Sequence, residues 1–266
     1  MDPLSDRLPE TRTTGRTSGL DSLRGVAVVW MVAFHFAFDL NHYGFIRQDF
    51  LRDPVWTLQR VAIVSLFLFC AGMGQALALQ REPSWSRFWR RWAQVAAAAL
   101  LVTLGSWLMF PRSAIWFGVL HGIAVMLIVV RLSARWGAAL WLLGLVAVLL
   151  PWLWRSPVFD SVWLMWTGLA LRRPVTEDFV PLLPWLGLMW WGAAAGASMQ
   201  RRWPMLLTVT ARTHAPSVLT RALRPLAMLG RHSLLIYLAH QPILIGLVAG
   251  AAAWRSGRPL FTGIFG

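Results

Sequence analysis

Lysine is absent from this 266-residue chain. All 25 basic residues are arginine, against 11 acidic ones, for a formal net charge of +14. A codon composition that favours arginine accounts for the choice of cation; where the arginines sit says more. Charge is also scarce, at 14% of residues where a soluble domain carries about 25%. A nucleic-acid binder needs a basic, largely soluble face, and the chain offers none. Cys70 stands alone inside an apolar run, which excludes a disulfide framework or a cysteine metal site within one chain. It reads as a small buried hydrophobe. No Gly-rich phosphate loop, metal-ligand spacing or nucleophile elbow is found. Gly72 and Gly74 read instead as close helix contacts.

Long apolar runs are what the chain has in plenty. Runs near 20 residues recur from end to end, and 57% of residues are hydrophobic. The runs are continuous and not alternating, so helices satisfy the backbone in lipid, and a barrel does not fit. The expected fold is all-α: a polytopic membrane helix bundle of about seven spanning helices. They are read at 20–41, 58–80, 89–110, 115–131, 136–154, 181–199 and 227–253. The apolar stretch 159–171 is short for a span, which needs about 17–25 residues, and is expected to be re-entrant or interfacial. The chain divides into a polar cytoplasmic tail (1–19), one integral domain (20–253) and a C-terminal tail (254–266). Residues 203–224 read as a polar loop. The first tail has no apolar core before a small-residue cleavage site, so the first helix is expected to act as an uncleaved anchor. The 18 Trp are spread along the segments, many near their ends, as an interfacial belt would place them.

Arginine placement orients the bundle. Arg-rich short loops stay in the cytoplasm. The basic groups are Arg7, Arg12 and Arg16; Arg81, Arg87, Arg90 and Arg91; Arg131 and Arg135; and Arg201, Arg202, Arg212, Arg221 and Arg224. All are cytoplasmic only if 159–171 does not cross. That puts the amino terminus inside, the carboxyl terminus outside, and leaves Arg172 and Arg173 outside.

Ionisable residues inside the apolar runs are costly, and each is a functional candidate. Eleven helical steps of about 100° place Arg24 and His35 within roughly 20° of one face, with a rise of about 16 Å. Asp39 and His42 continue that stripe. Asp39, one turn from His35, is expected to hydrogen-bond the imidazole and fix its tautomer for work as a base. The alternative is a polar stripe that bonds neighbouring helices. His121 lies in the outer half of the fourth helix and His240 mid-span in the last. Each has the alternative of a histidine bonded between helices. Pro242 is expected to kink the last helix and free a carbonyl near His240. Asp178 reads as a cap of the sixth helix near Pro181, or as a carboxylate facing a polar substrate. Arg81, Arg87, Arg90 and Arg91 read as a topology signal meeting lipid headgroups, a subset of which could hold nucleotide phosphates.

Four segments carry a resemblance. They are Ser22-Leu23-Arg24-Gly25 followed by His35; Phe117-Gly118-Val119-Leu120-His121; Asp178-Phe179-x-Pro181-Leu182-x-Pro184-Trp185; and Ser233-x-x-x-Tyr237-Leu238-x-His240-Gln241-Pro242. In this order they resemble the bacterial branch of the heparan-alpha-glucosaminide N-acetyltransferase catalytic-domain family. The first is also similar to the acyltransferase-3 family. The resemblance implies a bacterial inner-membrane acyltransferase. It would take acetyl-CoA from the cytoplasm and acetylate an amine or hydroxyl of a sugar or glycan on the far side. The family ties transfer to a histidine beyond the first helix, where this chain has His42. The acyltransferase-3 pattern points to His35, and both stay open. Arg24 or His121 would then donate to the thioester oxygen. A His35–His240 pair would serve direct transfer or an acetyl-histidine relay. Arg24, Arg87, Arg90, Arg91 and Arg231 would hold CoA phosphates. His121, Asp178, His240 and Gln241 would lie toward the acceptor. The implied partners are acetyl-CoA, a glycan acceptor and the bilayer, with a homodimer left open and no metal or nucleic acid. The rival reading is a small-solute or proton-coupled transporter, weakened by the lack of an internal repeat.

Overall fold

Length and hydropathy decide which helices can cross a bilayer. The computed structural model describes residues 18–81, 83–202 and 218–257. Its helices are α1 (Ser18–His42), α2 (Pro54–Arg81), α3 (Trp85–Met109), α4 (Val119–Ser133), α5 (Ala139–Leu153), α6 (Leu182–Arg202), α7 (Val218–Arg231) and α8 (Ser233–Ser256). Five are long and apolar enough to span: α1, α2, α3, α4 with the short turn that follows it, and α8. The α5 helix, with 15 residues, falls short in length.

Small residues bring the helices together. Gly72 on α2 packs against the Met189 carbonyl on α6, and Gly192 on α6 packs against the Phe69 carbonyl on α2. Backbone-to-backbone contact of this kind replaces the hydrophobic drive that lipid cannot supply. The core between these helices holds Leu68, Met126, Val130, Met189 and Ala193.

Side-chain contacts fix the helix directions. Trp30 Nε1 donates to Gln59 Oε1 at 3.1 Å, and Leu20 meets Leu77, so α1 and α2 are antiparallel. Trp92 Nε1 donates to the Ala124 carbonyl at 2.9 Å, and Arg131 reaches Trp85, so α3 and α4 are antiparallel. The α4 and α6 helices run parallel. Their approaches meet where Val180 N–H donates to the Phe117 carbonyl at 3.2 Å, and further along Trp190 Nε1 donates to Ser133 Oγ at 2.8 Å. Between them α5 runs back, its Gly144 against Gly187 and Trp191. Consequently 154–181 leaves α5 and enters α6 at one end of the bundle. It holds the 3-10 turns Pro157–Asp160 and Met165–Thr167 and the isolated bridge of Phe179 to Phe117, and no α-helix. Ser156 N–H donates to the Leu169 carbonyl, closing the segment on itself. Gly168, at φ 91°, packs on the Leu183 carbonyl. The short apolar stretch therefore begins and ends at the same end of the bundle and forms no helix of spanning length.

One expectation fails here. The last helix, read as continuous over 227–253, breaks at His232, and residues 218–224 of the expected loop belong to α7. The physical reason is a tight crossing: Gly25 of α1 abuts the Leu226 carbonyl, and Gly230 abuts the Asp21 carbonyl. The chain must finish that contact before α8 can turn into the bundle. Arg7, Arg12, Arg16, Arg212 and the rest of 203–217 lie outside the described residues.

With these directions, the α1 start, α2 end, α3 start, α4 end, α6 end and α7–α8 junction share one end of the bundle. That end carries Arg24, Arg81, Arg87, Arg90, Arg91, Arg131, Arg201, Arg202 and Arg231. The α1 and α8 helices both set out from it. Asp21 meets Arg231 there, and Arg255 meets the Tyr43 carbonyl at the other end.

Candidate active site

The parallel course of α1 and α8 brings His35 and His240 face to edge. Their ring centroids are 4.9 Å apart at an interplanar angle of 78°. His35 Nδ1 lies 2.9 Å from the Met31 carbonyl, and His240 Nδ1 lies 2.7 Å from the Tyr237 carbonyl. A carbonyl can only accept, so both Nδ1 atoms carry the proton. In each neutral ring Nε2 then keeps the lone pair, the atom a base or nucleophile uses. Phe34 edges His35 at 5.8 Å and Tyr237 tilts over His240 at 5.7 Å. Tyr237 also packs against three separate apolar clusters, so this wall is set by the whole bundle.

Asp39 does not orient His35 as expected. Its Oδ1 accepts from Gln241 Nε2 at 3.0 Å, across to α8, while His35 uses a carbonyl of its own helix. A histidine can reach the carbonyl one turn back without any partner helix, and that bond leaves Asp39 free to tie α1 to α8. Asp39 Oδ2, Gln241 Oε1 and His240 Nε2 are buried without a hydrogen-bond partner among the described residues. All three are acceptors, and a ligand that brings N–H or O–H donors would satisfy them. The carbonyl used by His240 belongs to Tyr237. It is not Leu238, whose usual partner four residues on would be the N–H that Pro242 lacks.

Other expected residues fall at the two ends. Arg24 Nη1 reaches Asp21 Oδ1 at 3.4 Å and its Nη2 reaches the Cys70 carbonyl at 3.4 Å. Arg231 Nε meets Asp21 Oδ2 at 3.4 Å, so one buried carboxylate gathers two of the expected phosphate-binding arginines. Asp21 escaped the sequence reading, although Asp21-x-x-Arg24 is an i,i+3 ion-pair spacing. Arg24 lies about 16 Å of helix rise from His35, too far to touch a carbonyl held there. Arg87, Arg90 and Arg91 are exposed on the opening turns of α3. His42 is exposed beside Tyr43 at 5.1 Å, about 10 Å of helix rise beyond His35.

His121 and Asp178 build the entrance to α4. His121 Nδ1 accepts from Gly118 N–H at 3.3 Å, so Nε2 carries the proton toward Thr103 Oγ1 at 3.0 Å. Thr103 passes its own proton to the Ile115 carbonyl at 2.7 Å. Both histidine nitrogens are therefore engaged, Nδ1 at the N-cap of its own helix and Nε2 across to α3, so His121 bonds between helices through Nε2 as the structural alternative required. Asp178 Oδ2 accepts from Val119 N–H at 2.7 Å and caps α4, not the sixth helix. A Cβ at Gly118 would stand 2.4 Å from that oxygen, so glycine lets a carboxylate from a distant loop take the capping position.

Burial pushes the Asp178 carboxyl upward, opposed by the Val119 N–H and by Arg60. A raised folded-state value means the folded protein holds this proton more tightly than the unfolded chain. The stability Asp178 contributes is then fully present below the unfolded value of about 3.9 and declines as pH rises through the folded one. Asp178→Asn keeps an acceptor and removes that slope, whereas Asp178→Ala loses the cap at a cost of about 1 kcal/mol. Melting temperatures across mildly acidic to neutral pH check both. An Asn variant with the wild-type slope contradicts the assignment.

Among the described residues, no group of three or more His, Cys, Asp or Glu side chains is gathered to hold a metal ion. No protein of curated function matches the chain, and neither does any solved structure. A family model does, over residues 16–242, and its description is heparan-alpha-glucosaminide N-acetyltransferase, catalytic. That stretch contains α1 through the first turns of α8, with His35, Asp39, His240 and Gln241 inside it. The chain belongs to the heparan-alpha-glucosaminide N-acetyltransferase catalytic family and is a membrane acetyltransferase dependent on acetyl-CoA.

Proposed function

We propose that the protein carries an acetyl group from acetyl-CoA, bound at the arginine-rich end, to an amine or hydroxyl of a sugar or glycan entering from the other end. In this reading the arginine-rich end is cytoplasmic and the membrane is a bacterial inner membrane. The α5 and α6 helices cross as well, giving seven spans. The amino terminus lies inside and the carboxyl terminus outside, as the positive-inside rule favours.

The observation that carries the reading is the His35–His240 pair, with both Nε2 atoms left as proton acceptors. One Nε2 takes the proton from the acceptor N–H or O–H as that atom attacks the acetyl carbonyl. The C–S bond breaks, the sulfur takes up the proton and CoA leaves as the thiol. A relay uses the same rings: one Nε2 attacks the acetyl carbonyl, the C–S bond breaks and CoA leaves as the thiolate. The acceptor then attacks the acetyl-imidazolium, the C–N bond breaks, and the acceptor's proton passes through the other Nε2 to the thiolate. The apolar wall of Met31, Phe34, Phe50 and Ile63 limits hydrolysis of the thioester by excluding water. Asp39 Oδ2 and Gln241 Oε1 supply acceptors for a donor-rich sugar. Arg24 and Arg231 with Arg87, Arg90 and Arg91 give the donor end a field suited to CoA phosphates. His42 sits at the acceptor mouth in this arrangement.

Purified protein in detergent, given labelled acetyl-CoA and a panel of amino sugars and polyols, tests this. Label on a sugar is expected. Acetyl-CoA left intact with every acceptor, or consumed without labelling any, contradicts the reading.

A further inference from the structure

Arg131 is only 7% exposed, in the last turn of α4, yet no carboxylate or hydrogen-bond acceptor among the described residues pairs with it. Its guanidinium carbon stands 4.9 Å from the Trp85 ring centre and 5.3 Å from that of Phe88. The two rings stand nearly perpendicular, at 86°, and hold the cation by its attraction to their π systems, which supplies no oxygen acceptor to its N–H donors. A fork of donors held rigid in this way suits planar, bidentate recognition of an oxyanion.

The element under that cation is also positive. Trp85 opens α3, and the first turn contains no acidic residue. Ser84 Oγ accepts from Arg87 N–H at 3.4 Å and the Ser84 carbonyl accepts from Phe88 N–H at 3.2 Å. The Trp85 and Ser86 N–H groups, at the positive end of the helix dipole, have no helical acceptor ahead of them. A buried cation therefore packs on the first and fourth residues of a helix whose amino terminus is itself positive. Trp85 and Trp89 are half exposed, at 48% and 44%, as indoles at a membrane surface are. The site thus opens at headgroup depth, on the arginine-rich end.

We propose that Arg131, caged by Trp85 and Phe88 at the amino terminus of α3, binds an anionic phosphate group. Two sources carry that chemistry: an anionic phospholipid headgroup, and the nucleotide phosphates of CoA. The second rests on the acetyl-transfer reading and the first does not. A binding measurement without turnover keeps the two claims separate.

Native mass spectrometry of the full chain in detergent supplies the test, with phosphatidylglycerol, adenosine 3′,5′-bisphosphate, and phosphatidylcholine as the zwitterionic control. Wild-type protein is expected to bind one of the anionic probes about tenfold or more tighter than the control. Arg131→Gln removes the fork, and Ser86→Glu puts a carboxylate where the phosphate would sit. Each is expected to weaken that probe about tenfold. The exposed Arg135→Gln makes the same charge change as Arg131→Gln and is expected to stay within about twofold of wild type. Ser86→Glu lies on the surface and decides the matter even if the Gln variant fails to fold. Preference for the lipid assigns a headgroup site, and preference for the bisphosphate assigns a nucleotide site. The proposal is overturned if neither anionic probe exceeds the control, or if Ser86→Glu binds them as wild type does.

Discussion

His240→Ala lowers acetyl transfer by roughly 10²- to 10⁴-fold, or about 3–5 kcal/mol of transition-state stabilisation, in a protein that still folds. Among the described residues its side-chain hydrogen bonding goes to carbonyls of its own helix, so its loss breaks no hydrogen bond between helices. The cavity it leaves is lined partly by the His35 ring, which can shift toward it. What disappears is an Nε2 that is buried, unprotonated in the neutral ring and unpaired. His35→Ala is expected to fall in the same range, and the double variant only slightly below either single one, because the two imidazoles act on one transfer. His42→Ala, at the exposed end of α1, is expected to lose much less. Turnover under saturating acetyl-CoA, together with melting temperature, separates rate from stability. A His240→Ala protein that keeps a third of wild-type turnover would remove the pair from the chemistry.

Gly72→Leu abolishes the folded bundle. A Cβ at Gly72 would lie 1.9 Å from the Met189 carbonyl oxygen and 2.9 Å from its carbon. Those are backbone atoms of α6, so no rotamer change relieves the clash. The α2 and α6 helices must separate, and with them go the Gly192–Phe69 contact and the core around Met189. Overpacking that moves backbone costs about 3 kcal/mol or more, a large part of a domain's net stability. Gly105 in α3 provides the contrast. Nothing lies within 4 Å of its Cβ position, and Gly105→Ala is expected to be neutral or to gain about 0.5–1 kcal/mol from helix propensity. Monodisperse yield and thermal melting of the two variants check this. A Gly72→Leu protein that melts like wild type would mean that α2 and α6 are not in contact.

Much of the bundle was legible in the sequence because lipid imposes one rule, continuous apolar helices, and arginine marks one end of them. The same charge pattern led to the reading that 159–171 does not cross, and in the structure that stretch holds no helix long enough to span. The α7–α8 break was hidden, since it depends on Gly25 and Gly230 meeting a partner far away in sequence. The proximity of His35 and His240 was anticipated from their placement in two spans. Their partners were not. Helical spacing suggests that Asp39 meets His35, but spacing cannot say whether a side chain turns along its own helix or across to another. Gln241 wins Asp39 because α8 lies close, and Met31 wins His35 because an own-helix carbonyl is always near. Asp178 followed the same logic. Its neighbours in sequence suggest a cap for the next helix, while Gly118 opened a place for it on another.

The central claim is that one acetyl group passes between the two ends of the bundle at the His35–His240 pair. Proteoliposomes with a defined insertion, labelled acetyl-CoA on the arginine-rich side and an amino sugar sealed on the other, test it directly. The account predicts labelled, acetylated sugar on the sealed side with wild-type protein, and none above background with His240→Ala. Sugar that crosses unmodified, or is labelled only when mixed with acetyl-CoA on the same side, would contradict it.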